Sequence, residues 1–181
     1  MSTLDEFGKM SHNESKKAVR LLAEHPDKAQ AFLDSTHENG GASMFLNDKS
    51  MVNYGDKTYI VGKEPSKKTK KAVPTEFEDV GSPSPHLSAL QFASHFNRLK
   101  PHANSKKALM GSWVDKSSEE NRAKGVQIDL SGGYIGRKAA ETRMIDRNED
   151  AISDAENGFA DIRNEDVRHK YTDTPRPPKE N

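Results

Sequence analysis

The residues best suited to chemistry in this chain lie in one run, Leu130-Ser131-Gly132-Gly133-Tyr134-Ile135-Gly136-Arg137. An apolar pulse precedes it and a helical pattern follows, which is where a phosphate-binding turn would sit. Small residues at a helix N-terminus leave N–H groups open to an anion, and Arg137 would add positive charge. The dinucleotide fingerprint G-x-G-x-x-G needs glycine at 131, where serine stands, so the motif is incomplete. Ser131, Gly132, Gly133, Gly136 and Arg137 are thus candidate phosphate contacts, set against the plainer expectation that the glycines merely turn the chain into a helix.

Other constellations carry less. Asp146-x-Asn148-x-Asp150 opens like a calcium loop, but glycine is then needed at 151 and a bidentate carboxylate at 157, and Ala151 and Asn157 stand there. The seven histidines (12, 25, 37, 86, 95, 102, 169) include no i, i+4 pair of the kind that grips a metal from one helix face, so no metal site is expected. No G-x-S-x-G elbow is present for a serine nucleophile. Asp115 and Asp129 fall on opposite arms of an expected hairpin, where two exposed strand-end aspartates are the plainer reading. Within Lys63–Lys71, the lysines at 63, 67, 68, 70 and 71 could meet phosphates, but no aromatic is interleaved among them, and a solvated loop is the simpler expectation.

The elements that must position these residues come from a thin apolar supply. The chain has 181 residues, a mean hydropathy of −0.94, 31% charged residues and no cysteine. Leu, Ile, Val and Phe together number 31, below the roughly 20% level at which disorder threatens when net charge is also high. Here 28 basic and 28 acidic residues cancel, so a modest core with long polar loops is expected, with no global bias toward nucleic acid or membrane. The lack of cysteine excludes disulfides, thiolate catalysis and Cys-based zinc sites. No signal-peptide pattern and no run of ~18 apolar residues is found, which predicts a soluble protein.

Ser11 with Glu14 forms a capping box that predicts a helix carrying Ala18, Val19, Leu21 and Leu22. Pro26 opens a second helix with Ala29, Phe32 and Leu33 inward, and Gly40-Gly41 ends it. Short β-favouring pulses follow at SMFL, SMVNY and KTYIVG, with turn residues between them. A helix is predicted from Pro85 to about Leu99, then a hairpin of SWVD and GVQIDL, then a helix over Ile135–Arg147. Asn157-Gly158 joins AISDA to FADIR as a final hairpin. Trp113, the only tryptophan, reads either as a core anchor or as a partly exposed aromatic that anchors a protein contact; the core role is the expected one in a chain this poor in large apolar residues, and its removal would then cost about 3–5 kcal/mol.

The pattern G-x-W-x-D, G-V-x-I-D-L-S, a helix, then R-N-x-x-A-I-x-D resembles a small module of uncharacterised tailed-phage and mobile-element proteins. Its matching residues are Gly111, Trp113, Asp115, Gly125, Ile128, Asp129, Leu130, Ser131, Arg147, Asn148, Ala151, Ile152 and Asp154. Upstream, GGAS at 40–43, Met51-Val52 and Gly55 resemble its first strands. The chain departs from it at Glu149, where the module has glutamine, and in a longer gap between Asp115 and Gly125. The resemblance covers roughly residues 40 to 155 and implies a fold, without established chemistry.

The expected architecture is α+β: a small, mostly antiparallel sheet with two packed helices over 40–163, preceded by a helical segment over 1–39 and followed by a disordered polar tail over 164–181. The expected function is that of a non-enzymatic phage or mobile-element accessory protein acting through protein–protein contact, in the virion or the bacterial cytoplasm. Trp113, Tyr134, Arg137 and Arg147 are the expected contact residues, and no cofactor is expected. The alternatives are a nucleotide- or phosphate-handling enzyme using Ser131–Arg137, and nucleic-acid binding through Lys63–Lys71.

Overall fold

The computed structural model describes residues 8–172. They form an α+β protein with antiparallel strands and packed helices, divided into two compact units. The first comprises the described residues up to Val52 together with Lys63–Gly132, and the second comprises Asn53–Gly62 and the described residues from Gly133 onward. This division cuts across the expected boundaries at 39, 40, 163 and 164. The expected N-terminal helical pair is present, and it shares its core with residues up to 130.

In the first unit, α1 (His12–Glu24) begins with the predicted capping box: Ser11 Oγ accepts from Glu14 N at 3.3 Å, and Ser11 N donates to Glu14 Oε2 at 2.8 Å. Helix α2 (Pro26–Asn39) has its proline in the first turn, where the missing N–H costs nothing, and Gly40 closes it at φ 85°. Helix α3 is Ala89–Leu99, shorter than predicted, because Ser88 and Gln91 form a second capping box that fixes the start four residues beyond Pro85. Phe32 and Phe92 meet at 5.1 Å between ring centroids and pin α2 against α3.

These helices cover one face of a sheet in which β1 (Gly41–Phe45) pairs with β4 (Ala108–Trp113), β4 with β5 (Val126–Tyr134), and β5 with β3 (Glu76–Glu78), all antiparallel, and a one-turn helix α4 (Glu119–Arg122) lies in the connection from β4 to β5. The two-residue period sends Met44, Met110, Ile128 and Leu130 into the core. One polar pair joins them there. Thr36 Oγ1 donates to Phe32 O, which leaves it to accept from Ser112 Oγ at 2.6 Å, fully buried between α2 and β4. The pulse SMVNY does not become a strand; it contributes an isolated bridge from Met51 to Met44. Strand β3 lies where no strand is expected, because two of its three residues are glutamates and Pro74 stands just before it.

In the second unit, β2 (Tyr59–Val61) pairs with β6 (Ala151–Asp154) and β6 with β7 (Ala160–Arg163), with helix α5 (Arg137–Asp146) packed alongside. The predicted Asn157-Gly158 hairpin forms, with Gly158 at φ 74°. Its core is Val61, Tyr134, Ala140, Met144, Ile152 and Val167. Val167 lies where a disordered tail was expected. Residues 164–172 instead form two short helices, α6 (Asn164–Val167) and α7 (His169–Thr172), because Val167 is 2% exposed and Asn164 Nδ2 donates to Glu149 O at 2.8 Å. The rest of that expected tail lies outside the described residues.

Candidate functional site

The phosphate-loop candidates do not make a loop. Ser131, Gly132, Gly133 and Tyr134 are buried residues of β5, where the ladder places Ser131 opposite Leu109 and Gly132 opposite Ala108. Neither Gly132 nor Gly133 has a positive φ, so the glycines serve a strand and not a turn. Only Ile135 and Gly136 remain to turn the chain into α5, and Gly136 gives no side-chain cap. Arg137 is exposed and its Nε donates to Glu141 Oε1 at 2.8 Å.

Trp113 lies on the sheet face turned away from the helices. The register sets Gly41, Trp113, Gln127 and Phe77 side by side across β1, β4, β5 and β3, and directly opposed residues project to the same face. Trp113 is 53% exposed and Phe77 49% exposed, so the expectation of a core tryptophan is corrected. The cause is the phase of the strand. Ser112 and Val114 point inward and are buried, which forces Trp113 outward. Gly41, the residue opposite, leaves bare backbone beneath the ring: a Cβ there would lie 3.7 Å from Trp113 Cδ1. The next row holds Ser43, Gly111 and Asp129, half-buried apart from the glycine, which is buried. Further along the same face Leu109 and Ser131 are buried, so the open surface is confined to the Trp113 end.

The residues that carry the resemblance hold the backbone in place. A Cβ on Gly111 would collide with the Asp129 carboxylate, which accepts from Ser131 Oγ at 2.9 Å. Gly125 has φ 86°, and the backbone of Glu78 occupies the space a side chain would need, so β3 can only pair beside a glycine. Arg147 donates to Gly62 O at 3.0 Å and to Tyr134 Oη at 2.8 Å; both it and Tyr134, expected as partner contacts, are spent inside the second unit. Asn148 takes φ 52° at the end of α5, and Asp154 Oδ1 accepts from Glu156 N at 3.1 Å in the turn before β7. Asp115 and Asp129 are not brought together as a pair: Asp115 accepts from Ser117 N, and Asp129 sits opposite Gly111.

Three polar clusters escaped the sequence. His95, 3% exposed, has Nε2 2.8 Å from Glu78 Oε1 while Arg98 donates to its Nδ1 at 3.1 Å, which puts the ring proton on Nε2. Burial lowers the Arg98 guanidinium, with Glu76 and Glu78 opposing that shift. This cluster fastens β3 to α3. In the second unit, Glu141 accepts from Arg137 and from Tyr171 Oη at 2.6 Å, and that bond with burial pushes the Tyr171 hydroxyl up to about 12. His37 stacks on His86 at 4.3 Å and accepts from Leu87 N at 3.1 Å through Nε2. They line a cleft of about 450 Å³ with Pro83, Pro85, Lys116 and Arg122. Beside the local pairs Arg137–Glu141 and His95–Arg98, each cluster depends on a contact 17 to 50 residues apart, which no local motif encodes.

Among the described residues, no group of three or more His, Asp or Glu is placed to hold a metal ion, and no helix is long and apolar enough to cross a membrane. No protein-family model, curated protein or solved structure matches the chain.

Proposed function

We propose that the protein is a non-enzymatic accessory protein that docks a partner protein on the open end of its sheet, with Trp113 and Phe77 as the anchors. The carrying observation is the exposure of the sole tryptophan beside an exposed phenylalanine in one cross-strand row. Large aromatics on a flat, rigid strand surface supply much contact area at little entropic cost, and tryptophan is enriched among residues that dominate binding energy. Gln127, Asp129 and Ser43 give the polar surroundings that such anchors have in protein interfaces. The resemblance to phage and mobile-element modules supports a partner from that setting, in a virion or in bacterial cytoplasm.

The test is affinity capture from virions or from bacterial lysate with the wild type and with the double variant Trp113→Ser, Phe77→Ser. A partner identified on the wild type and lost from the folded double variant supports docking on this face. Equal capture by both overturns it.

A further inference from the structure

Lysines gather at the opposite end of β4 from Trp113. Lys67, Lys68, Lys70 and Lys71 stand on a loop closed by the Pro65–Ala72 bridge and by Ser66 N donating to Lys71 O at 2.9 Å. That loop is tied to the 3₁₀ turn Lys100–His102: Lys67 N donates to His102 O at 3.0 Å, and Ser66 Oγ lies 2.7 Å from His102 Nδ1. The tie brings the loop beside the turn that carries Lys100, and four and five residues on from His102 stand Lys106 and Lys107, at the tip of a turn closed by Ala108 N donating to Ser105 O at 3.2 Å. At ~3.6 Å per residue at most, the chain from His102 to Lys106 reaches no further than about 14 Å. All of these lysines are exposed, and residues 65–75 and 99–114 contain no Asp or Glu. A chain of zero net charge thus concentrates cations in two linked loops. On the adjoining turn, the Asp48 carboxylate is occupied by Ser50 N and Oγ.

We propose that this lysine cluster binds the phosphate backbone of duplex nucleic acid without reading its sequence. Lysines on two neighbouring loops can face successive phosphates, and neutralising them releases counterions, which is enough for non-specific binding. Neither loop carries a Phe, Tyr or Trp on which unpaired bases would stack, and the one aromatic ring there, the half-buried His102, is held by Ser66, so nothing there favours single strands. Neither exposes a large apolar residue to enter a bilayer, which disfavours an anionic membrane as the occupant. The surface is separate from the Trp113 face and stands or falls independently of the docking proposed there.

The experiment is fluorescence anisotropy with a labelled DNA duplex of about 20 base pairs, titrated at salt from about 25 to 200 mM. The wild type is expected to bind at low salt and to weaken steeply, with the slope of log affinity against log salt near −0.9 per phosphate contacted. Two double variants, Lys67→Gln with Lys68→Gln and Lys100→Gln with Lys106→Gln, should each flatten that slope by about 1.8 while retaining the wild-type circular dichroism. The matching Lys→Arg pairs should bind like the wild type. No binding at the lowest salt overturns the proposal. So does wild-type binding by the Lys100/Lys106 variant, since the cluster would then not be composite. Binding to vesicles of about 30% phosphatidylserine with none to the duplex also overturns it, in favour of a membrane surface.

Discussion

Replacing Trp113 by alanine measures how the sheet divides its two faces. A buried tryptophan covers about 150–250 Å². With 53% of the residue exposed, roughly 100 Å² remains in contact, and at ~25 cal/mol/Å² its loss costs about 2.5 kcal/mol as an upper figure. A compact unfolded chain reduces that by about 10–40%, and alanine keeps part of the contact. Because the ring faces solvent, its removal leaves no closed cavity to add the further penalty of a core deletion. The expected loss is therefore about 1–2 kcal/mol, most of it from the ring's contact with Gly41 and its strand neighbours. Urea unfolding followed by far-ultraviolet circular dichroism reads this directly, since the variant has no tryptophan to follow. A loss of about 3–5 kcal/mol with an unchanged denaturant slope would show a ring packed as core and refute the assignment of the face.

Gly125→Ala should cost about 2 kcal/mol or more, because the left-handed backbone at φ 86° and the Glu78 backbone both oppose a side chain; urea unfolding checks it, and an unchanged midpoint contradicts it. Truncation after Asn164 removes buried Val167 and the Tyr171–Glu141 bond, so the second unit should melt at lower temperature, by a free energy of about 2–4 kcal/mol; an unchanged thermal transition would show the C-terminal helices to be dispensable. His37 is held below its usual 6.5 by burial and by His86, with Lys116 in the same sense and Asp34 opposing. Its neutral form is the one that accepts from Leu87 N, so this contribution is complete above pH 6.5 and is lost as pH falls through the depressed folded value. Melting temperature between about pH 8 and 5 should consequently fall more for the wild type than for His37→Gln, and parallel profiles would contradict the assignment.

The helices were legible because their signals are local. Ser11 with Glu14, Pro26 and Gly40 each act within one turn of the residues they cap. Strand phase and strand extent were less so. In Ala108-Leu109-Met110-Gly111-Ser112-Trp113, apolar residues occupy consecutive positions, so the alternation that would turn Trp113 outward is blurred, and size alone suggested a core role. Ser131-Gly132-Gly133 reads as a turn by composition, and only pairing with β4, more than twenty residues earlier, keeps it extended. Strand β3 depends on His95 and Arg98 meeting Glu76 and Glu78, a contact invisible in Glu-Phe-Glu itself. Polar residues 164–172 looked unable to fold, yet one buried valine and two side-chain hydrogen bonds hold them. The Lys67–Lys71 run was visible, whereas its meeting with Lys100 and Lys106 was not.

The most direct test of docking on the Trp113 face uses the tryptophan itself, since its emission comes from one position in the chain. With a tryptophan-free version of the captured partner added, Trp113 emission should shift to the blue and become protected from acrylamide quenching. Emission and quenching that stay those of an exposed ring while the partner is bound would contradict it.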